Sequence, residues 1–548
     1  MTIMSNQRHR TRIVFIALCC GVLLASLICR LYVVQIVRHE DYLKIANRQH
    51  KTVVPIHPRR GNIYDRNLRI VAASTFLDSV YVDCTRLRKS GLVKRLARDL
   101  ARALDQPYEN ILKKIDRTGY VPIARMIEPA IADRVRDFCP PKAIADEIVN
   151  FERESKRHYP KWPLAYYVLG DVQLDGAGEN RGKSGLEYQY NTYIRGKEEQ
   201  FSALRSAGAP LEWTGDNEVY WAKAFGNELV LTIDESIQHI VERALHEAAT
   251  EYHVRAGVLV VQNCKTGELL GLASWPECDP TMAFDDWHNR AVEHAFTVGS
   301  VMKIFTASSL IETGKLADLD ELVNCNNGRD YFPPRRVPVL DAPDCRLGIV
   351  PFRMAFYRSS NVGLARMGQR LDRNAYARVL SDFGFGQKSS VDLPGESPGI
   401  FRPVSQWTAH SVIVLPFGGE MAVTPVQLVT AVSAVANGGL LVKPRIVKEI
   451  RTHDGQVISR TERTVVRRVI NPVTCARVLE LMESVVGRRT PTGQWEEGTG
   501  RGAAISGYRV GGKTGTFQYE SNPTSYTASF VAVVPLPDPE LTVFCLLD

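Results

Sequence analysis

Seventeen consecutive uncharged residues, Ile13 to Cys29, constrain this chain more than any other feature of its sequence. Arg30 interrupts the run, and apolar character resumes through Leu31-Tyr32-Val33-Val34 and Ile36-Val37. One helix of about 25 residues, ~37 Å long at 1.5 Å per residue, can therefore cross a bilayer with Arg30 snorkelling to its edge. Arg8, Arg10 and Arg12 precede the run without any acid, which places residues 1–12 in the cytoplasm and the remaining ~510 outside it. The run continues past Ala25-Ser26, so it lacks the short core and small-residue site of a cleaved signal, and Ile28 before Cys29 does not suit a lipoprotein. The reading is a cytoplasmic tail over 1–12 and an uncleaved single-pass anchor over 13–37.

The exported remainder is globular in composition, and at 548 residues, 45% hydrophobic and 23% charged, the chain is too long for one core. Sixty-eight Lys and Arg against 60 Asp and Glu give +8, an excess that suits an anionic membrane surface and implies no nucleic-acid partner. Eleven cysteines show no C-x-x-C pair with ligand spacing, so neither metal nor cofactor is expected. Cys325 and Cys345 flank Pro333-Pro334-Arg335-Arg336 and are the most plausible pair for a disulfide, although two free thiols are the favoured reading because exported cysteines are not all paired.

Residues 38–225 read as an extended mixed module, with β-rich runs at Lys51 to Ile56 and Val71 to Val82 and a helical stretch at Val93 to Leu104. A second domain, 226–548, begins with a strand at Glu228 to Ile233 and an amphipathic helix that Asp234 caps. Ala256 to Val261 and Glu268 to Ala273 form a hairpin pattern around Asn263 to Gly267. Tyr508 to Phe517, Tyr526 to Val534 and Leu541 to Leu547 predict three more strands, so one antiparallel sheet drawn from both ends of the domain is expected, with helices between.

Gly299-Ser300-Val301-Met302-Lys303 opens a predicted helix and sets Ser300 and Lys303 on one face. A serine hydroxyl is a poor nucleophile until a base takes its proton. Lys303 can be that base only if its pKa falls about 3 units from ~10.4, roughly 4 kcal/mol, through burial and a second cation. No other serine in the chain has a lysine three residues on. Ser359-Ser360-Asn361 supplies S-x-N, a hydroxyl and an amide able to pass a proton and hold a substrate carbonyl or amide. Lys513-Thr514-Gly515-Thr516 lies on a predicted strand, where a cation and two hydroxyls can take a carboxylate and Gly515 lets a substrate backbone come close. A second K-T-G, Lys265-Thr266-Gly267, falls in the hairpin turn and is read as structural.

The ordered set S-x-x-K, S-x-N, K-T-G-T resembles the penicillin-recognising serine acyltransferases, the penicillin-binding proteins and serine β-lactamases. Arg60-Gly61-Asn62-Ile63-Tyr64-Asp65-Arg66-Asn67, Tyr159-Pro160, Gly170 and Gly185-Leu186-Glu187 are similar to pedestal segments of class B penicillin-binding proteins. Leu231 to Asp234, Gln238, Asp392 to Glu396, Thr424 to Leu428 and Ala436 to Gly439 are similar to segments of their catalytic domain. Ser359 to Gly363 is closer to the division and sporulation type than to the elongation type.

The resemblance implies an α/β (α+β) fold: a β-lactamase-like transpeptidase domain over 226–548, a dimerisation-type pedestal over 38–225 and one transmembrane helix. It implies a peptidoglycan D,D-transpeptidase of the bacterial inner membrane that binds β-lactams. Ser300 would be the nucleophile, Lys303 the base, Ser359 the proton relay and Asn361 a positioning group. Lys513, Thr514 and Thr516 would form the carboxylate site, and the backbone N–H groups of Ser300 and Thr516 an oxyanion hole. Stem peptides are the implied substrates; a SEDS-type glycosyltransferase and division proteins are the implied partners. Val298 in place of proline, Phe517 in place of a small residue and Gly418-Gly419-Glu420 depart from the pattern.

Two other readings are weighed: a β-lactamase, with Glu396 as the candidate deacylating base, and a non-catalytic β-lactam-binding scaffold or sensor. The chain stops at Asp548 within or just after a predicted strand, where the resemblance implies a further helix. The apolar stripe Ile237, Ile240, Val241, Leu245 and Ala248 is therefore expected to lie partly exposed together with one face of Leu541 to Leu547, as in a truncated and less stable version of a longer chain.

Overall fold

The computed structural model describes residues 2–43, 51–56, 58–145, 148–174, 180–197, 199–204, 212–213, 224–278, 288–489, 493, 495–496, 498–519 and 522–548. The chain divides into two compact units, Met1–Pro58 with Lys197–Ala224, and Arg59–Gly196 with Phe225–Asp548. The first contains a helix over Thr2–Tyr32 that continues as a π-helical turn over Val33–Val37. Its apolar window, Arg10–Val37, has a mean hydropathy of 2.5 and is long enough to cross a membrane. The same unit holds a three-stranded antiparallel sheet of Lys51–Ile56, Glu199–Leu204 and Glu212–Trp213.

In the second unit, the long strand Ile70–Asp83 pairs with both Tyr120–Ile127 and Val149–His158. The helix Val93–Ala103 lays Leu96, Ala97, Leu100 and Ala103 against them, at the spacing that puts one helical face inward. The sheet then crosses into the second half of the chain, because Ile63–Tyr64 runs parallel to Glu228–Leu231, which pairs in turn with Val447–Arg451.

Charge fixes this junction. Arg60 is almost wholly buried, with its Nε on the Glu187 carboxylate, Nη2 donating to Glu187 O at 2.6 Å and Nη1 to Asn191 Oδ1 at 2.7 Å. Arg157 Nε donates to the other Glu187 oxygen at 2.7 Å, and its Nη1 to Gly61 O at 2.7 Å. Asp65 accepts from Asn67 N and Arg69 N at 2.8 Å each, and Asn67 Nδ2 reaches Asp234 at 3.0 Å. The Arg60 to Asn67 segment is thus clamped to residues 157–191 through its arginine and to the start of the second half of the chain through Asn67.

The second half of the chain is built on five antiparallel strands: β1 (Gly257–Asn263), β2 (Leu269–Trp275), β3 (Gly511–Tyr519), β4 (Asn522–Val534) and β5 (Leu541–Leu547), in the order β2-β1-β5-β4-β3. The two ends of the domain do form one sheet, and β3 is its edge. The Lys265-Thr266-Gly267 motif lies in the β1–β2 turn, where Gly267 N donates to Asn263 O at 2.9 Å. Val258, Val260, Phe544 and Leu546 face the main core.

Helix α1 (Glu235–Glu251) covers the other face of the sheet. Asp234 caps it, accepting from Ser236 N at 2.9 Å. Gln238, buried within the apolar stripe, exchanges two hydrogen bonds with the Leu272 backbone at 2.8 and 2.9 Å. Val241 and Leu245 are buried against Val261, Leu270 and Ala273, contrary to the exposure expected of them. Ile240 is 53% exposed, Ile237 is half-buried, and Leu541, Val543 and Leu547 on the α1 side of β5 are only partly covered.

The middle of the domain supplies the helices α2 (Lys303–Glu312), α3 (Asn361–Gly368), α4 (Pro425–Ala436) and α5 (Pro472–Val486). Every residue of α4 is buried, and Thr424 with Gln427 closes its start in a capping box. Asp392 accepts from Ile446 N and Val447 N at 2.7 Å each, tying the Asp392 to Glu396 loop to the junction sheet.

Candidate active site

Ser300 is set by the short strand that precedes it and by a glycine contact. Phe296–Thr297 pairs with Ala422–Val423, and Val298 takes φ −60°, the value a proline would impose, so its substitution leaves the backbone path unchanged. Gly299 then turns with φ +57°. Gly418 packs on its carbonyl so closely that a Cβ there would lie 2.0 Å from Gly299 O, which gives the glycine-rich 418–420 segment a steric reason. Residues Gly299–Met302 form a 3-10 turn leading into α2, and Val301, Met302, Ile304 and Phe305 are fully buried. That core anchorage fixes the turn on which the Ser300 and Lys303 side chains meet.

Lys303 Nζ sits in a ring of oxygens: Ser300 Oγ at 2.9 Å, Ser359 O at 2.6 Å, Ser359 Oγ at 3.0 Å and Asn361 Oδ1 at 2.8 Å. Its burial is complete, and desolvation pulls the ammonium from its ordinary value down to about 7, against an opposing pull from the Asp341 carboxylate. Lys513, equally buried, donates to Ser359 Oγ at 2.9 Å and to Thr514 O at 3.0 Å. Burial and then the charge of Lys303 hold it well below the usual lysine range. The residues expected from the three motifs converge here, and the Lys303 shift comes from burial rather than from the second cation expected beside it.

The loop that presents Ser359 and Asn361 is held under strain. Ser359 has φ +62°, a left-handed conformation that non-glycine residues seldom adopt. Ser360 caps α3, accepting from Gly363 N at 2.9 Å. Asp341 accepts from Ser360 Oγ at 2.7 Å, Asn361 N at 2.5 Å and Val362 N at 2.9 Å, and Asn361 Nδ2 donates to Leu340 O at 2.8 Å. Asp341 was not singled out from the sequence, because no local spacing links it to a loop some twenty residues on.

On β3, Thr514 Oγ1 lies 2.6 Å from Thr499 Oγ1, and Thr516 is exposed. Gly515 has a packing reason of its own. A Cβ there would meet Ser529 Oγ at 2.3 Å and Val301 Cγ2 at 3.0 Å, so glycine lets the Ser300 turn pack on β3. Gly299 correspondingly approaches Thr516, with a Cβ placed 3.3 Å from Thr516 O, which brings the two backbone segments expected to supply N–H groups side by side.

The structure also bears on two alternatives weighed from the sequence. Glu396 spends its carboxylate on Ser389 N and Ser389 Oγ at 2.5 Å each and on Ser390 N at 3.0 Å, which makes it a loop clamp. Cys325 and Cys345 are free, buried thiols, with Cys345 Sγ donating to Arg358 O at 3.2 Å, so the Cys325–Cys345 disulfide is absent.

The sequence matches the penicillin-binding protein transpeptidase domain over residues 257–548 and the penicillin-binding protein dimerisation domain over 55–213. It is 30% identical to the stage V sporulation protein D of Bacillus subtilis over 562 residues, covering 99% of this chain and 82% of that protein. It is 25% identical to the peptidoglycan D,D-transpeptidase FtsI of Buchnera aphidicola, covering 97% and 90% of the two chains. The crystal structure of penicillin-binding protein 3 from Mycobacterium tuberculosis, complexed with aztreonam, superposes with a TM-score of 0.65 at 27% identity, covering 91% of each chain. With a dimerisation domain ahead of a transpeptidase domain and a fold shared along nearly its whole length, the chain belongs to the class B penicillin-binding proteins.

Proposed function

We propose that the protein cross-links peptidoglycan by serine D,D-transpeptidation through an acyl-enzyme, that it serves septal wall synthesis, and that β-lactams acylate the same serine. The observation that carries this is the 2.9 Å contact between Ser300 Oγ and a fully buried Lys303 whose pKa is about 7. At neutral pH a large fraction of Lys303 is the free amine, able to accept the Ser300 proton.

Ser300 Oγ attacks the D-Ala-D-Ala carbonyl while its proton passes to Lys303 Nζ, and the developing oxyanion takes the N–H groups of Ser300 and Thr516. The C–N bond to the terminal D-Ala breaks as its nitrogen takes a proton from Ser359 Oγ, which is resupplied by the lysines beside it. A neighbouring stem amine then attacks the ester, gives up a proton along the same path, and Ser300 leaves with its hydrogen restored. Lys513, Thr514 and Thr516 take the terminal carboxylate, and Asn361 holds the stem amide. The basic N-terminus supports an anchor with the catalytic domain outside the cytoplasm of a bacterial inner membrane. A SEDS-type glycosyltransferase and division proteins are the partners this role calls for.

The test is labelling with benzylpenicillin followed by peptide mass analysis, together with release of D-Ala from a pentapeptide donor. The adduct on the peptide containing Ser300, lost in Ser300→Ala, is the expected result; an adduct that persists in the variant overturns the assignment. The β-lactamase reading finds no support in Glu396, whose oxygens are occupied by the 389–390 loop. A non-catalytic scaffold would bind penicillin without transferring an acyl group to any amine.

A further inference from the structure

At the end of the edge strand where β3 begins, a groove of about 770 Å3 opens between α5 and Leu536-Pro537. Two aromatic rings line it, Trp495 at 59% and Tyr508 at 63% exposure. The Trp495 ring lies against the backbone at Gly487, where a Cβ would come within 2.8 Å of Cζ2. Paired ions lie beside the rings: Arg509 Nε and Nη2 donate to the two Glu483 oxygens at 2.6 and 2.8 Å, and Arg488 Nη1 is 2.8 Å from Glu480 Oε1. These two pairs present compensated charges, while Arg489 adds a guanidinium to the same lining. Exposed ring faces and planar hydrogen-bonding pairs suit a flat, polyhydroxylated chain, whose C–H faces stack on aromatics and whose hydroxyls reach guanidinium and carboxylate edges.

The position of the groove relative to the chemistry narrows the ligand further. Tyr508 is five residues before Lys513, at most ~18 Å along an extended chain. Thr499, four residues after Trp495, touches Thr514 through its hydroxyl at 2.6 Å. Two lining residues of the groove thus stand on the chain segments that run into the carboxylate end of the site, Tyr508 ahead of Lys513 and Trp495 ahead of Thr499, and that is the end from which the D-Ala amine departs. An incoming amine has to approach the acyl carbon from the side the leaving amine vacates, so the acceptor strand arrives across this edge. We propose that the groove binds the saccharide backbone of the acceptor strand, an inference that rests on the transpeptidase reading above.

Two measurements on the full-length protein in detergent test it. A peptide-free β-1,4-linked N-acetylglucosamine tetramer, titrated by isothermal calorimetry, should give saturable binding that Trp495→Ala abolishes, that Tyr508→Ala weakens about tenfold and that Ser300→Ala leaves intact. In acyl transfer, Trp495→Ala should slow transfer to a disaccharide-linked stem peptide at least fivefold more than transfer to a free D-amino acid, while benzylpenicillin acylation stays within twofold of wild type and reports an intact fold. Penicillin labelling without tetramer binding, or equal loss on both acceptors, overturns the groove assignment alone. Tetramer binding by a protein that penicillin does not label overturns the transpeptidase reading, and the acceptor role with it.

Discussion

Lys303 and Lys513 share one oxygen: Ser359 Oγ lies 3.0 Å from Nζ of the first and 2.9 Å from Nζ of the second, with both lysines fully buried. Two ammonium groups that close and that dry oppose each other, and burial already disfavours either charge. The pair is therefore poised to hold fewer protons than two free lysines would, and the hydroxyl between them can pass a proton either way.

Acylation by benzylpenicillin should rise with pH through about 7 and level off above it, because Lys303, lowered to about 7, must lose its proton to act as base. Lys303→Arg keeps a permanent charge and should lose about 10²–10⁴-fold in acylation rate. Stopped-flow acylation across pH 5.5–9 in the two proteins checks this; a flat wild-type profile would exclude Lys303 as the base.

Asp341→Asn should move that midpoint below about 7, since the carboxylate is the group that pulls the Lys303 pKa upward against burial. Acylation should also slow roughly tenfold as the clamp on Ser360, Asn361 and Val362 loosens, a loss of about 1.4 kcal/mol. An unchanged or higher midpoint would show that Asp341 does not act on Lys303 electrostatically.

Lys513→Ala should slow acylation by carboxylate-bearing β-lactams far more than by an analogue with the carboxylate esterified. Rate constants for the matched pair of inhibitors give the comparison. Equal losses would move Lys513 from carboxylate recognition to proton handling through Ser359.

Glu187→Ala should destabilise the protein by about 3–5 kcal/mol, because it leaves Arg60 and Arg157 buried without their common carboxylate. Thermal denaturation of the purified chain should show a clearly lower midpoint. A midpoint within a degree of wild type would mean that water or neighbouring carbonyls compensate both guanidinium groups.

Local geometry made part of this site legible in the sequence. Ser300 and Lys303 are three apart on a helical turn, and their meeting requires nothing beyond that turn. The five-strand sheet followed from alternating apolar runs at both ends of the domain, and the anchor from an uncharged stretch of membrane length. Other readings needed the packed molecule. Gly515 suggested access for a substrate, yet Ser529 and Val301 are what crowd it. Cys325 and Cys345 had the spacing of a loop-closing bridge and remain two thiols. Along α1, Val241 is buried and Ile240 exposed, although the two are adjacent members of the same apolar stripe.

By itself the sequence determined the chemical inventory: a hydroxyl with an amine one turn away, a hydroxyl with an amide, a cation with two threonines, and the order in which the chain delivers them. Only the tertiary structure decided that Lys303 and Lys513 converge on Ser359, that Asp341 holds the loop between them, and that burial lowers the Lys303 pKa to about 7. The physical reason is that a motif specifies which groups are present, whereas a pKa depends on how much water and which charges surround a group. Those surroundings are contributed by segments far apart in the chain.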